Sequence, residues 1–145
     1  MECPTRMHCE ITKRTRWEGQ PVMDCLLELL PLPSPGLKHW SYGQYADCSR
    51  FPFLETRRKY KKHLAESRAM TIGSKIQEYK PKLVAFYGNT YRKWWGLIAN
   101  GPVSPPDNFI ASSPTSFVLL AHPNARKITE SYFRKAGKAI AAAWG

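Results

Sequence analysis

Five consecutive apolar residues, 117–121, run directly into His122 and Pro123. A short apolar run between polar flanks predicts a strand that is buried on both faces. Because proline has no backbone N–H and a fixed φ, this strand should stop at His122 and place the imidazole at its carboxyl end. Ligands of open α/β sheets bind beside the carboxyl ends of strands, so His122 is a candidate site residue. The alternative is a histidine that only ends the strand and bonds a neighbouring carbonyl.

Two further stretches are predicted to be strands. Residues 81–88 are predicted to be a buried strand, which Pro81 opens and Gly88 closes. Residues 22–30 are mostly apolar, and three prolines follow closely, which leaves too little length for a helix; we predict a strand that ends near residues 28–30. Glu28 lies within this run. It either points inward, where it needs a partner or stays protonated, or lies on the polar face of an edge strand.

Helices are predicted between these strands and after the last one. Residues 55–79 form one long helix or two shorter ones, and residues 91–99 form a helix that Asn89 or Thr90 caps. Asn124 is predicted to cap the final helix. The apolar face of that helix consists of Ile128, Tyr132, Ala136 and Ile140.

The predicted order is strand, loop, helix, strand, helix, loop, strand, helix. Alternating strands and helices predict a mainly parallel sheet that helices cover. The three strand ends, at Glu28, Gly88 and His122, should open towards one edge of this sheet, where a site is expected. Residues 21–145 form the predicted domain, and residues 1–20 are expected to be a loosely ordered basic arm.

The charge of the chain favours a polyanionic partner. Lys and Arg outnumber Asp and Glu by 22 to 11, a formal net charge of +11, and the densest basic cluster lies in residues 57–63. Nucleic acid is the first candidate, through phosphate contacts and counterion release; the alternative is a basic protein without such a partner. No apolar run approaches the roughly 20 residues that span a bilayer, and residues 1–17 show no signal-peptide core. We expect a cytoplasmic protein, nucleoid-associated if bacterial, with no membrane contact.

The four cysteines show no paired C-x-x-C spacing; they are Cys3, Cys9, Cys25 and Cys48. A metal cluster that combines Cys9 with the adjacent His8 matches none of the usual zinc patterns. Without a secretion signal a disulfide framework is not expected. We therefore predict reduced, unrelated thiols and neither a metal nor a cofactor.

The loop before the long helix is rich in aromatic residues: Trp40, Tyr42, Tyr45, Phe51 and Phe53. Aromatic side chains in a long loop usually pack that loop onto the body of the protein, which is the favoured interpretation. The alternative is that some of them stack on nucleic-acid bases.

Three stretches, taken in order, resemble motifs of the uracil-DNA glycosylase superfamily. They are Leu26-Leu27-Glu28, then Lys80-Pro81-Lys82-Leu83-Val84-Ala85-Phe86-Tyr87-Gly88-Asn89, then Leu119-Leu120-Ala121-His122-Pro123-Asn124-Ala125-Arg126. In that family the matching strands end in a base-reading residue, in a loop that contacts the DNA backbone, and in an H-P-S or N-P-S motif before a DNA-penetrating loop. The family's water-activating loop, G-x-D-P-Y or G-x-N-P, has no counterpart in residues 1–20. Glu28 stands where the better-known branches carry Asn.

The resemblance implies both a fold and an activity. The fold would be a three-layer α/β/α arrangement with a small, mainly parallel sheet that lacks the family's usual first strand. The activity would be DNA base excision, in which the N-glycosidic bond of a flipped damaged or deaminated base is hydrolysed. His122 would be the catalytic hydrogen-bond donor, and Glu28 and Tyr87 would bind the base. The DNA-binding residues would be Gly88, Asn89, Pro123, Asn124, Arg126 and Lys127.

Two alternatives to a glycosylase stay open. One is a non-catalytic DNA-binding protein on the same scaffold, and the other is a truncated, inactive relative. For the enzyme, the identity of the base depends on Glu28: an ionised carboxylate accepts hydrogen bonds but cannot donate them. The preferred base therefore need not be uracil.

Overall fold

A computed structural model describes residues 10–15, 21–34, 36 and 39–144. The strands are β1 (Glu10–Thr15), β2 (Pro21–Leu26), β3 (Leu83–Tyr87) and β4 (Ser116–Leu120). The α-helices are α1 (Tyr42–Tyr45), α2 (Arg57–Tyr79), α3 (Arg92–Ala99) and α4 (Glu130–Ala142). Short 3₁₀ turns lie in the connections, at Pro52–Leu54, Asn89–Tyr91 and Pro106–Asn108. None of the described helices is both long and apolar enough to cross a membrane.

β3 and β4 form a parallel pair. Their register places Leu83 opposite Ser116 and ends with Tyr87 opposite Leu120. Ser104 adds an isolated parallel bridge to β4. β3 lies within the predicted stretch 81–88. β4 overlaps the run 117–121 but begins at Ser116 and ends at Leu120, two residues before the predicted stop at His122; the two strands and their parallel arrangement are confirmed.

The side chains of this pair alternate between two apolar clusters, because successive residues of a strand point to opposite faces. Phe86 and Leu119 belong to a cluster with residues of α2 and α3, namely Ala69, Ile72, Ile76, Trp95 and Ile98. Val118 and Leu120 belong to the other cluster, with Phe109 and with Ala136 and Ile140 of α4. Helices therefore cover both faces of the pair, which explains why β3 and residues 117–120 of β4 are apolar.

Local signals set the ends of α2 and α3. The hydroxyl of Thr56 accepts a hydrogen bond from the backbone N–H of Lys59 at 3.2 Å and so caps the start of α2. Lys80 caps the end of α2 and Asn100 caps the end of α3, and both residues adopt the left-handed conformation, with φ of 46° and 53°. Residues 57–79 therefore form one helix rather than two.

The predicted caps of α3 and α4 are wrong. Asn89 and Thr90 form a 3₁₀ turn with Tyr91, so α3 begins only at Arg92 and has no side-chain cap bond. Asn124 lies in a turn, and α4 begins only at Glu130. In both places the chain turns before it becomes helical, so the polar residue nearest the strand is not the cap.

The strand predicted over residues 22–30 is shorter and lies in a different sheet. β2 ends at Leu26 and pairs antiparallel with β1, with Glu10 opposite Leu26. Among the described residues this pair shares no ladder with β3 and β4. The prediction that Glu28 ends a strand of the parallel sheet is therefore wrong. Pairing with the nearby β1 closes a much shorter loop than pairing with β3, and so costs less chain entropy.

What the structure shows is a mixed α/β protein with, in the described part, four helices and a parallel sheet of only two strands. Part of the predicted basic arm is also regular, because β1 occupies Glu10–Thr15. Isoleucine and threonine, which favour extended backbone, make up half of this strand. Residues 1–9 and 16–20 of the arm lie outside the described residues, and the division into arm and domain stays a prediction.

The prediction of reduced cysteines is wrong at Cys25. Cys25 is disulfide-bonded. Cys48 is a free thiol, and its Sγ lies 3.6 Å from the carbonyl oxygen of Gly43. Cys3 and Cys9 lie outside the described residues. The spacing of the cysteines in the sequence did not indicate this bond. A disulfide forms only where the fold brings two cysteines close together, and the hairpin that positions Cys25 was not predicted.

Candidate functional site

The carboxyl ends of β3 and β4 bring Gly88 and His122 together. The backbone N–H of Gly88 donates to the carbonyl of Leu120 at 2.8 Å. A Cβ built on Gly88 would lie 3.4 Å from Cβ of His122 and 3.7 Å from its Cδ2. Tyr87 and Asn89, on either side of Gly88, are both exposed. We call this edge, Tyr87 to Asn89 together with His122, the strand rim. The predicted meeting of Gly88 and His122 is confirmed, while their roles stay predictions.

The imidazole of His122 is exposed, and one of its nitrogens is already bonded. The backbone N–H of Asn124 donates to Nδ1 at 3.1 Å. In the neutral ring Nδ1 is then the acceptor, and the proton lies on Nε2. The carbonyl of His122 accepts from the N–H of Ala125 at 2.8 Å, which fixes the turn that follows. His122 therefore offers an N–H donor at the strand rim.

Trp95 supports the strand rim, and sequence analysis did not identify it as a site residue. Its Nε1–H donates to the carbonyl of Gly88 at 2.8 Å. Its ring stacks on Phe86, with centroids 4.9 Å apart and 15° between the planes. Both backbone polar groups of Gly88 are thus engaged, one by Leu120 and one by Trp95. The only sequence pattern that could indicate this hydrogen bond is a tryptophan in the helix that follows the glycine at the end of the strand.

The turns after β4 expose the remaining residues that the resemblance assigns to DNA: Pro123, Asn124, Arg126 and Lys127. The hydroxyl of Tyr132 accepts from the N–H of Ala121 at 2.9 Å and so holds this segment to α4. Lys127 has a φ of 69°, in the left-handed region. In the described part of the chain neither Arg126 nor Lys127 forms an ion pair. Two cations are therefore available to an anionic ligand in the turns after His122.

Glu28 is attached to α2. Its backbone carbonyl accepts from Nη2 of Arg68 at 2.8 Å, and its side chain is exposed. Tyr60 is close by: burial raises the pKa of its hydroxyl, and the negative charge of Glu28 adds to the rise. That hydroxyl also accepts from the N–H of Leu32 at 3.1 Å. Among the described residues no hydrogen bond or ion pair joins Glu28 to His122, so its predicted base-binding role has no geometric support here.

The first turns of α2 lie beside the strand rim. The Nζ atom of Lys61 lies 4.8 Å from the ring centroid of Tyr91, in the turn after Gly88. The ring of Tyr91 meets that of Trp95 edge-on, with centroids 6.0 Å apart and 77° between the planes. Lys61, one member of the basic cluster at 57–63, thus contacts the turn that follows the strand rim, which nothing in the sequence indicates.

Two shallow cavities open at the start of α2. The larger, of about 470 Å³, is lined by Pro52, Phe53, Lys59, Lys62 and His63. The smaller, of about 350 Å³, shares Lys59 and Lys62 and adds Arg58. The rings of Phe53 and His63 stack, with centroids 4.2 Å apart and 11° between the planes. We call these two cavities the α2 pocket. The sequence marks its basic residues but not the stacked pair, which forms only when the aromatic loop packs on α2.

Comparison with protein-family models, with curated proteins and with solved structures finds no match. In the described ranges no three His, Cys, Asp or Glu side chains are grouped so that they could hold a metal ion. The assignment of a function therefore depends on the strand rim and the α2 pocket.

Proposed function

We propose that this protein binds DNA and acts as a base-excision glycosylase, with the strand rim holding an extruded base. The observation that carries the proposal is the contact of Gly88 with His122 at the carboxyl ends of two parallel strands, with Nε2–H of His122 left as a donor. This is what the resemblance to the uracil-DNA glycosylase superfamily requires of its last two strand motifs. On this proposal, the parallel pair and its covering helices are a reduced form of that family's three-layer fold.

In the proposed reaction, water adds to C1′ of the sugar and the N-glycosidic bond breaks. The electron pair of that bond moves onto the base, and the proton that water releases ends on the departing base. Negative charge develops on the base carbonyl oxygen, where the N–H of His122 stabilises the transition state more than the ground state. The base must first leave the stack, which costs roughly a few kcal/mol and is easiest for a mismatched or damaged base.

Cationic groups near the strand rim supply the contacts to phosphate. Arg126 and Lys127 are exposed, and Lys61 lies beside the turn that contains Asn89. The net charge of +11 attracts DNA at long range. Because each phosphate contact releases counterions, the affinity for DNA should fall as salt is raised.

A second candidate function is DNA binding without chemistry. One observation favours it: among the described side chains, no carboxylate forms a hydrogen bond or ion pair with His122. Hydrolysis is slow when no general base orients the attacking water. On this alternative the strand rim holds a base or a strand end but releases it unchanged.

A nicking assay separates the two candidates. Oligonucleotides that each carry one uracil, hypoxanthine or xanthine are incubated with excess protein, and abasic sites are then cleaved with alkali. We expect His122→Ala to lower the rate by about 100- to 1,000-fold, the usual loss when one preorganised donor is removed. His39→Ala, at an exposed histidine outside the strand rim, is the matched control and should keep full activity.

The nicking assay, together with a measurement of DNA affinity at several salt concentrations, gives distinct outcomes. Excision that survives His122→Ala would remove His122 from the proposed role. DNA binding without any abasic product from the wild type would select the binding-only function. DNA affinity that hardly responds to salt would contradict both, because each candidate depends on phosphate contacts.

A further inference from the structure

We propose that the α2 pocket binds single-stranded nucleic acid: one unpaired base stacks on the Phe53–His63 pair, and the neighbouring lysines hold its phosphates. The two rings lie face to face, with centroids 4.2 Å apart and 11° between the planes, so they form a two-ring stack that a base can extend on its outer face; we call this stack the platform. His63 is exposed and Phe53 is half-buried. Aromatic platforms accept bases of any identity, because every base has a π-face.

The platform is built on fixed backbone. Phe53 lies in the 3₁₀ turn Pro52–Leu54, and Trp40 holds this turn by donating from Nε1 to the carbonyl of Leu54 at 2.7 Å. His63 lies within the helical part of α2, after the cap at Thr56. Rings held in place before binding lose less conformational freedom when a base stacks on them, which favours affinity.

Three cations surround the platform. Lys59 and Lys62 line both cavities, and Arg58 lines the smaller one. Lys59 pairs with Glu55, whereas Arg58 and Lys62 form no ion pair with any described residue. The first turn of α2 contains no acidic residue, and Glu55, directly before the cap at Thr56, is paired with Lys59. The pocket therefore combines a surface for a base with charge for phosphate.

The shape of the pocket favours a strand over a duplex. The larger cavity, about 470 Å³, is shallow, so it can receive one face of a stacked nucleotide rather than enclose a ligand. It adjoins the smaller cavity through Lys59 and Lys62, so a phosphate backbone can continue beyond the stacked nucleotide. A duplex covers the faces of its bases and cannot use the platform. Lys61, next to Lys62 in α2, reaches Tyr91 and so leads from the pocket towards the strand rim.

The test measures binding and needs no chemistry at His122, so it can fail independently of the proposed function. Fluorescence anisotropy compares three labelled probes: oligothymidylate of about 12 nucleotides, a strand of the same length with abasic spacers, and a duplex. We expect the wild type to bind oligothymidylate most tightly. Phe53→Leu removes the ring but keeps the apolar bulk; it should weaken this binding by about fivefold or more and abolish the preference over the abasic strand.

Three further variants keep the test decisive. His63→Leu should weaken oligothymidylate binding in the same way as Phe53→Leu. Because His63 is exposed, this variant still tests the proposal if Phe53→Leu does not fold. Lys62→Gln should weaken binding to the oligothymidylate and the abasic strand alike and reduce the salt slope by about 0.7. Lys138→Gln, at an exposed lysine of α4, is the matched control and should change the affinity by less than about twofold.

Two results would overturn the proposal. One is equal affinity of the wild type for oligothymidylate and for the abasic strand, which would leave only charge. The other is unchanged oligothymidylate affinity in both Phe53→Leu and His63→Leu proteins that circular dichroism shows to be folded.

A competition experiment tests whether the ligand is a strand or a free nucleotide. If thymidine monophosphate displaces the labelled strand as effectively as unlabelled oligothymidylate at the same nucleotide concentration, the pocket binds a free nucleotide and the assignment to a strand is wrong.

Discussion

Replacing Gly88 with alanine should destabilise the protein because of its backbone conformation. Gly88 has a φ of 81° and a ψ of 148°, a combination that residues with a Cβ rarely adopt. Holding a residue in such a region costs about 1–3 kcal/mol. The new methyl would lie 3.4 Å from Cβ of His122, which is van der Waals contact rather than a severe clash. Backbone strain therefore sets the expected loss, about 1–3 kcal/mol in the free energy of unfolding.

Gly137 provides a matched control, because it receives the same methyl group in a different setting. It is exposed within α4, and nothing lies within 4 Å of a Cβ built on it. Alanine is favoured over glycine inside a helix, so Gly137→Ala should raise the free energy of unfolding by about 0.5–1 kcal/mol. Urea denaturation of both variants under identical conditions measures the two changes, which should have opposite signs.

The result that would refute this reasoning is a Gly88→Ala protein at least as stable as the wild type. A second readout concerns His122. If the methyl crowds its ring, the imidazole resonances of His122 in the NMR spectrum should shift in Gly88→Ala and stay unchanged in Gly137→Ala. Shifts of equal size in both variants would contradict the contact between Gly88 and His122.

Three other changes test separate parts of the structure. Burial raises the pKa of Tyr60 in the folded state above its ordinary value of 10.0, so its protonated hydroxyl contributes stability below that pH, and the contribution is lost as pH rises through the raised pKa. Tyr60→Phe should therefore lose less stability than the wild type between neutral pH and a pH above 10.0, as measured by urea denaturation; equal losses would contradict the burial of the hydroxyl. Val118→Ala, at a side chain that is fully buried in β4, should cost about 2–3 kcal/mol, whereas Leu97→Ala, at a residue that is 49% exposed, should cost clearly less; equal costs would place the core elsewhere. Because Glu28 follows a strand of a different sheet from Gly88 and His122, Glu28→Gln should leave the relative excision of uracil, hypoxanthine and xanthine in the nicking assay unchanged, and a changed preference would restore Glu28 to base reading.

The parallel pair could be predicted because its signals are local. Pro81 and Gly88 bound one apolar run, and Pro123 ends the other within three residues of the end of β4. Each run is buried on both faces, so its apolar character is continuous and hard to mistake. The helix over residues 57–79 was similarly predictable from its length and its partial apolar stripe.

The hairpin of β1 and β2 could not be predicted, because whether a segment forms a strand depends on the segment with which it pairs. β1 carries charged residues that indicate a solvated tail when they are considered alone. Its pairing with β2 becomes favourable only when both segments are extended together. Once β2 is paired there, Glu28 follows a strand of a different sheet, and the predicted convergence of three strand ends is lost.

The candidate site was predictable in part. Gly88 and His122 follow the ends of neighbouring parallel strands, so topology alone places them together. The pairing of Phe53 with His63 depends on how a loop folds onto a helix, which leaves no periodic trace in the sequence. Asn124 illustrates the same limit: it was predicted to cap a helix, but its backbone N–H bonds the ring of His122.

Consecutive contacts link the two proposed binding places: Lys61 meets Tyr91, Tyr91 meets Trp95, and Trp95 bonds Gly88. Equilibrium linkage is reciprocal. If a strand bound in the α2 pocket raises the affinity of the strand rim for a base by some factor, a base bound at the strand rim must raise the affinity of the α2 pocket for the strand by the same factor. If the two events are coupled through these contacts, a substitution of Tyr91 should uncouple them, because Tyr91 contacts both Lys61 and Trp95.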